Sequence, residues 1–321
     1  MIDFTHCREL PADYGGSEQK KKMIYNGEVY LVKFPDPVRQ KANPLSYMNN
    51  QFSEYIGCHI FESVGIPVQE TLLGIYREAT GKEKVVVACK DFTTPGHTLH
   101  EFSWVANSTT TMERKATACI KDVYEVIEQN PLIPYKQETK ELFWDVFVVD
   151  TLIANKDRHL NNWGFMDSEH GLVFSPVYDC GSCLHALLDD EHCKNLLVDE
   201  TGFKNEAYNV YSAYSYEGKR INCAEFFKNP ISPLKDAILR IVPRIDMDKI
   251  RGIIKDTPYM SDIRKDFLIQ SITMRKELIL DRALKRCARK SLDALVKETV
   301  AGQHQKPQLL SKGTIEHGPA H

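Results

Sequence analysis

Between Thr139 and Ala154, apolar residues Leu142, Phe143, Val146, Phe147, Val149, Leu152 and Ile153 crowd one short segment. Their spacing predicts a helix buried around most of its circumference. The pattern stops at Asn155, and the stretch to Asn162 is polar apart from Leu160. A loop is predicted there. Two short apolar runs follow, Gly164-Phe165-Met166 and Leu172-Val173-Phe174, around the turn-forming Ser168-Glu169-His170-Gly171. They predict a hairpin. The series ends at Tyr178-Asp179-Cys180-Gly181.

Upstream, the pattern is that of strands around one helix. Lys22 to Tyr25 and Glu28 to Phe34 flank Asn26-Gly27, a strong two-residue hairpin signal. Tyr47 to Val64 predicts a helix closed by Gly65 and Pro67. Val68 to Tyr76 and Val85 to Cys89 predict two strands about the turn Ala79-Thr80-Gly81-Lys82, and Lys90 to Leu99 is irregular. Downstream, helices are predicted over Glu113 to Gln129, Cys223 to Phe227, Pro233 to Ile241, Met247 to Lys255 and Ser261 to Lys290. Leu187 to Gly218 shows no period that assigns it. The expected division is a sheet-rich unit over residues 1–92 and a helical unit over 93–290. A tail over 291–321 is expected to be flexible, since its end lacks apolar periodicity.

The polar residues of the central segment carry a chemistry. An Asp, four residues and then an Asn, followed by Asp-x-Gly after a hairpin, is the order that phosphoryl transfer from ATP uses. One carboxylate orients and accepts the proton of an attacking hydroxyl. An amide oxygen and a second carboxylate hold a divalent cation against phosphates. Asp157, Asn162 and Asp179 match these roles in that order. Any one of them alone would serve as well to solvate or cap a loop. Lys33 sits among Tyr30, Leu31, Val32 and Phe34, so it points either to solvent or into a cleft. Its natural partner is Glu54. On the predicted helix, Met48, Phe52, Tyr55, Ile56, Ile60 and Val64 form the main apolar face. Glu54 lies opposite, near Cys58 and Phe61, which suits a helix wedged between a sheet and a cleft.

Two further segments are weaker. Gly15-Gly16-Ser17, ahead of Lys20, Lys21 and Lys22, would let main-chain amides approach phosphates, but equally reads as an ordinary turn. The strand through Ala88, Cys89 and Lys90 is placed to present its backbone to an adenine edge, or simply to fill a core.

The chain has 321 residues and a formal net charge of −3, which gives no global case for nucleic acid or an anionic membrane as partner. No apolar run is long enough to span a bilayer. The N-terminus lacks a basic region followed by an apolar one, so a cytoplasmic location is expected. Export by routes without such a signal stays open. Nine scattered cysteines form no disulfide framework and point to a reducing compartment.

Together these segments resemble the HipA-like serine/threonine kinases, and within them the single-domain CtkA-like members. The resemblance rests on the Gly15-Gly16-Ser17 loop, Tyr30-Leu31-Val32-Lys33-Phe34-Pro35, Phe52-Ser53-Glu54-Tyr55 and Val86 to Phe92. It rests further on Asp157-Arg158-His159 with Asn162-Trp163-Gly164-Phe165, Asp179-Cys180-Gly181-Ser182-Cys183, and Pro243-Arg244-Ile245-Asp246-Met247. It implies an α+β, two-lobed, protein-kinase-like fold. It implies ATP and Mg2+ as cofactors and transfer to serine or threonine of a protein substrate. Asp157 is then catalytic, Asn162 and Asp179 hold metal, and Lys33, positioned by Glu54, clamps phosphate. Gly15, Gly16 and Ser17 cover the phosphates, and His159 is a further contact from the helical lobe. The resemblance also implies self-phosphorylation at Ser17 and makes an antitoxin-like protein a candidate partner. No DNA-binding segment is visible, so direct nucleic-acid binding is not expected.

Two readings of other classes stay open. Cys180-Gly181-Ser182-Cys183, with His185, His192 and Cys193, offers ligands for zinc or a redox dithiol. A nucleotide-binding module without turnover is the other.

Overall fold

The computed structural model describes residues 2–11, 19–35, 49–93, 96–109 and 118–289. The loop residues Gly15, Gly16 and Ser17 and the tail 291–321 lie outside the described residues, as do 36–48 and 110–117.

The first part is an antiparallel sheet of β1 (Arg8–Leu10), β2 (Lys20–Tyr25), β3 (Glu28–Lys33), β4 (Thr71–Arg77) and β5 (Glu83–Lys90), with α1 (Asn50–Ser63) against one face. The strand order is β1-β2-β3-β5-β4. Asn26 and Gly27 make the predicted turn between β2 and β3, both with positive φ (50° and 85°), the combination a two-residue hairpin needs. Alternation along β3 then sorts its side chains. Tyr30 and Val32 join Phe4, Met23, Phe34, Val86 and Ala88 in a small outer core. Leu31 packs on the main core instead, and Lys33 lies on that same face.

The second part begins with β6 (Leu99–Glu101), α2 (Phe102–Thr109), β7 (Ala118–Cys119), α3 (Ile120–Gln129) and α4 (Lys136–Leu152). The hairpin β8 (Gly164–Ser168) and β9 (Gly171–Phe174) follows, and β6 pairs with β8. Next come α5 (Asp190–Val198), α6 (Glu200–Tyr208), β10 (Tyr211–Tyr216), β11 (Lys219–Asn222), α7 (Cys223–Phe226), α8 (Ser232–Ile241), α9 (Met247–Asp256) and α10 (Asp262–Arg275). The helix α4 is buried nearly all round from Phe143 to Leu152 and packs against α3, α8 and α10. Each fully buried Val, Leu or Phe there contributes roughly 1.5–3 kcal/mol. One continuous core runs from Ile56, Ile60 and Phe61 of α1 into Trp144, Val148 and Leu152 of α4. The fold is thus α+β, with a small antiparallel sheet beside a larger helical part.

Several expectations need correction. Ala118 and Cys119, expected inside a helix, form a short strand parallel to β10. The unassigned stretch Leu187 to Gly218 contains α5, α6 and all of β10. Those two helices bury few residues and are fixed by caps: Asp189 accepts from His192 N, and Asp199 from Gly202 N. The helix predicted over Ser261 to Lys290 widens to π geometry over Lys276–Asp281.

Candidate active site

The site forms where α1, the loop after α4 and the turn after β9 meet. Lys33 ends β3 facing α1, and its Nζ donates to Glu54 Oε2 at 2.8 Å. The same Nζ donates to Asp179 Oδ1 at 3.1 Å. Glu54 is 1 % exposed, so its carboxylate must be paired to be tolerated. Its other oxygen accepts from Cys180 N at 2.9 Å, which ties the helix directly to the Asp179 turn.

Gly57, one turn further along α1, makes that approach feasible. A Cβ there would fall 2.8 Å from Cys180 Cβ and 3.0 Å from Cys183 Sγ. No larger residue fits without moving the turn. Asp179 itself sits in the left-handed region with φ +56°. Asp tolerates that conformation better than most residues, and such strain collects at functional sites. The turn is registered against the first lobe by Val177, whose N–H donates to Pro67 O at 2.9 Å while its carbonyl accepts from Gln69 N at 2.8 Å.

Opposite lies the polar loop. Asp157 is half-exposed, and Ser182 Oγ donates to its Oδ2 at 3.2 Å. Asn162 Nδ2 donates to Asp157 O at 2.8 Å, which leaves the amide oxygen for another partner. His159 is half-exposed, with Nε2 3.7 Å from Asp157 Oδ1 and Nδ1 accepting from Asn161 N at 3.3 Å.

Arg158 holds this loop, and the sequence reading assigned it no role. Its Nε donates to Asp150 Oδ2 at 3.0 Å and its Nη2 to Asp150 Oδ1 at 3.2 Å. Its Nη1 donates to Asn162 O at 2.8 Å and also to Tyr178 O. One guanidinium therefore fixes the main chain on both sides of the hairpin, beside Asn162 and beside Asp179. The available signal was Asp150, a carboxylate that follows the apolar run Val146 to Val149 of the helix and demands a cation where it is buried.

The charges reinforce this arrangement. Burial disfavours the Lys33 ammonium, but Glu54 and Asp179 outweigh it and hold the lysine well above its ordinary value. Burial would raise Asp179, yet the positive charges of Lys33 and Arg158 keep its carboxyl below the usual range. Asp179 therefore stays anionic in a confined site.

Ala88, Cys89 and Lys90, expected to meet an adenine edge, lie at the end of β5. The strand β5 lies between β3 and β4, so Leu31 faces Cys89 on one side and Leu72 faces Ala88 on the other. Lys90 N donates to Glu70 O, and Lys90 O accepts from Gln69 Nε2. Each of these main-chain groups has a partner within the first part of the fold. The proposed zinc set is not assembled. His185 is engaged by Glu206 and Arg275, and His192 by Asp189. Cys193 packs in the core of the helical part.

Comparison with known proteins places this geometry. The family model of the HipA-like C-terminal domain matches residues 13–235. The chain belongs to that family. It is 41 % identical over 299 residues to the serine/threonine-protein kinase CtkA of Helicobacter pylori strain J99, covering 91 % of this chain and 90 % of that one. The crystal structure of a Helicobacter pylori proinflammatory kinase CtkA superposes with a TM-score of 0.80 at 40 % identity, over 89 % of this chain and 98 % of that chain. HipA of Shewanella oneidensis, solved with HipB and operator DNA, shares the fold with a TM-score of 0.53 at 15 % identity, over 87 % of this chain and 65 % of that chain. Among the described residues, no helix is long and apolar enough to cross a membrane.

Proposed function

We propose that this chain is a protein kinase that transfers the γ-phosphoryl group of ATP to serine or threonine of a protein substrate. The observation that carries this reading is the convergence of Lys33, Glu54 and Asp179, from three separate elements, at contacts of 2.8 and 3.1 Å opposite Asp157. The likeness to CtkA, described as a serine/threonine kinase, supports it.

Asp157 accepts the proton of the incoming hydroxyl, and Ser182 orients its carboxylate. Lys33 keeps two N–H donors on carboxylates and turns the third to a phosphate oxygen. The Asn162 amide oxygen and the Asp179 carboxylate are both hard oxygen donors, a set that fits Mg2+. Magnesium, when bound, neutralises charge developing on the phosphates. Gly15, Gly16, Ser17 and His159 complete the phosphate side in this reading. Residues 1–92 would carry the nucleotide and 93–290 the catalytic loop. An antitoxin-like protein is the partner class this family suggests, after the HipA–HipB assembly.

The test is transfer of labelled phosphate from Mg·ATP by the purified chain into a cell extract, with phosphosite mapping. Labelled serine or threonine above the level given by Asp157→Ala is the expected result. Equal labelling by both proteins would overturn the assignment, and binding of ATP without transfer would leave a nucleotide-binding module.

A further inference from the structure

We propose that Glu54, Cys58 and Cys180 form a site for a thiophilic divalent cation such as zinc, and that an ion there suppresses phosphoryl transfer. The carboxylate oxygen and the two sulfurs lie within 4.8 Å of one another, all three residues buried. Cys58 Sγ stands 3.9 Å from Glu54 Oε1. Tetrahedral zinc with thiolates at about 2.3 Å holds its sulfurs roughly 3.8 Å apart, so a small contraction closes the site. Cys183 Sγ lies beside it, against the same Gly57. This set differs from the Cys-x-x-Cys grouping in the sequence, because two of its members come from α1.

An open cavity reaches one of the three ligands. A cavity of about 540 Å³ between α1 and β4 is lined by Cys58 together with His59, Glu62 and Glu70. Thr71 Oγ1, buried and without a hydrogen-bond partner, belongs to a residue lining the same cavity. The exposed carboxylate of Glu62 attracts cations to the mouth, while that of Glu70 is shared with Lys90 at 3.5 Å. Arg158 Nη2 lies 3.4 Å from Cys180 Sγ and fixes that side chain beside Glu54. Binding releases two thiol protons to solvent and leaves a dithiolate–carboxylate–metal centre.

The consequence, which rests on the phosphoryl-transfer reading above, follows from Glu54. Its Oε1, the oxygen that faces Cys58, also accepts from Cys180 N, so an ion drawing on Oε1 loosens the tie between α1 and the Asp179 turn and weakens the pull on the Lys33 ammonium held at 2.8 Å by Oε2. Metal and nucleotide binding are therefore antagonistic, and by linkage equally so in both directions.

The experiment titrates the full, phosphine-reduced, metal-free chain with cadmium. We expect one ion per chain and an ultraviolet thiolate-to-metal band. Mg·ATP turnover should fall at least tenfold in step with the band and recover on chelation. Cys58→Ser should lose the band at one equivalent and keep its own metal-free turnover when cadmium is added. Wild-type binding by Cys58→Ser, or no band in the wild type, would overturn the site. Cadmium NMR of the wild type reads the ligand set without a variant, and a signal lacking thiolate ligation would also overturn it. A band without loss of turnover would overturn the antagonism. A chain with no kinase activity at all would still give or fail to give the band, so the two readings fail separately.

Discussion

Two buried cations flank the cleft, and they are held differently. Lys33 meets Glu54 and Asp179 through single contacts, and Asp179 is 41 % exposed at the side chain. Arg158 spreads its guanidinium over Asp150, Asn162 O, Tyr178 O and Cys180 Sγ, with Phe61 packed against it. A point charge on a flexible stem exchanges partners readily, whereas a planar fork fixes several acceptors at once. The first pair is arranged to admit a ligand, the second to keep backbone in place.

The largest effect sharpens what both pairs serve. Asp157→Ala should lower turnover about 10³-fold while ATP affinity stays near wild type, because proton acceptance matters only in the transition state. Single-turnover kinetics alongside nucleotide titration checks it. Equal losses in binding and turnover would make Asp157 structural.

Arg158→Met tests the fixed pair. It leaves Asp150 charged, buried and unpaired, a loss of about 3–5 kcal/mol in folding stability. Urea denaturation gives the value. A loss below about 1 kcal/mol, typical of exposed pairs, would erase the contrast with Lys33.

A pH effect probes a third buried group behind the loop. Burial pushes the His185 imidazole down from 6.5 to about 4, against the pull of the Glu206 carboxylate. Its folded value is lowered, so between those limits the unfolded chain takes up a proton that the folded one refuses. Stability contributed by neutral His185 is complete above 6.5 and falls as pH drops toward 4, by about 3 kcal/mol. His185→Gln should flatten that part of the stability profile. An unchanged slope would assign the acid loss to other groups.

The smallest effect is a coupling. Lys33→Ala and Glu54→Ala should be non-additive in turnover by about 0.5–3 kcal/mol, because either one removes the same ion pair. Additive losses would mean that the pair is not the unit that binds phosphate.

Periodicity and spacing alone were enough to determine the order of elements around Asp157, Asn162 and Asp179. They placed α4 before the polar loop, the β8–β9 hairpin after it, Lys33 on a strand and Glu54 on a helix, because each is a local pattern of period or turn chemistry. The short helices after Asp189 and Asp199 escaped because their turns bury little and so carry almost no period. The pairing of β5 with β3 and β4 around Ala88 and Cys89 was not legible, because strand neighbours follow from long-range pairing. The clamp of Arg158 on Tyr178 and Asn162, the approach of α1 to the turn at Gly57, and the meeting of Cys58 with Cys180 were likewise decided only in three dimensions. Each joins residues distant along the chain or turned together by a loop, and such contacts are fixed by packing rather than by the pattern of any one segment.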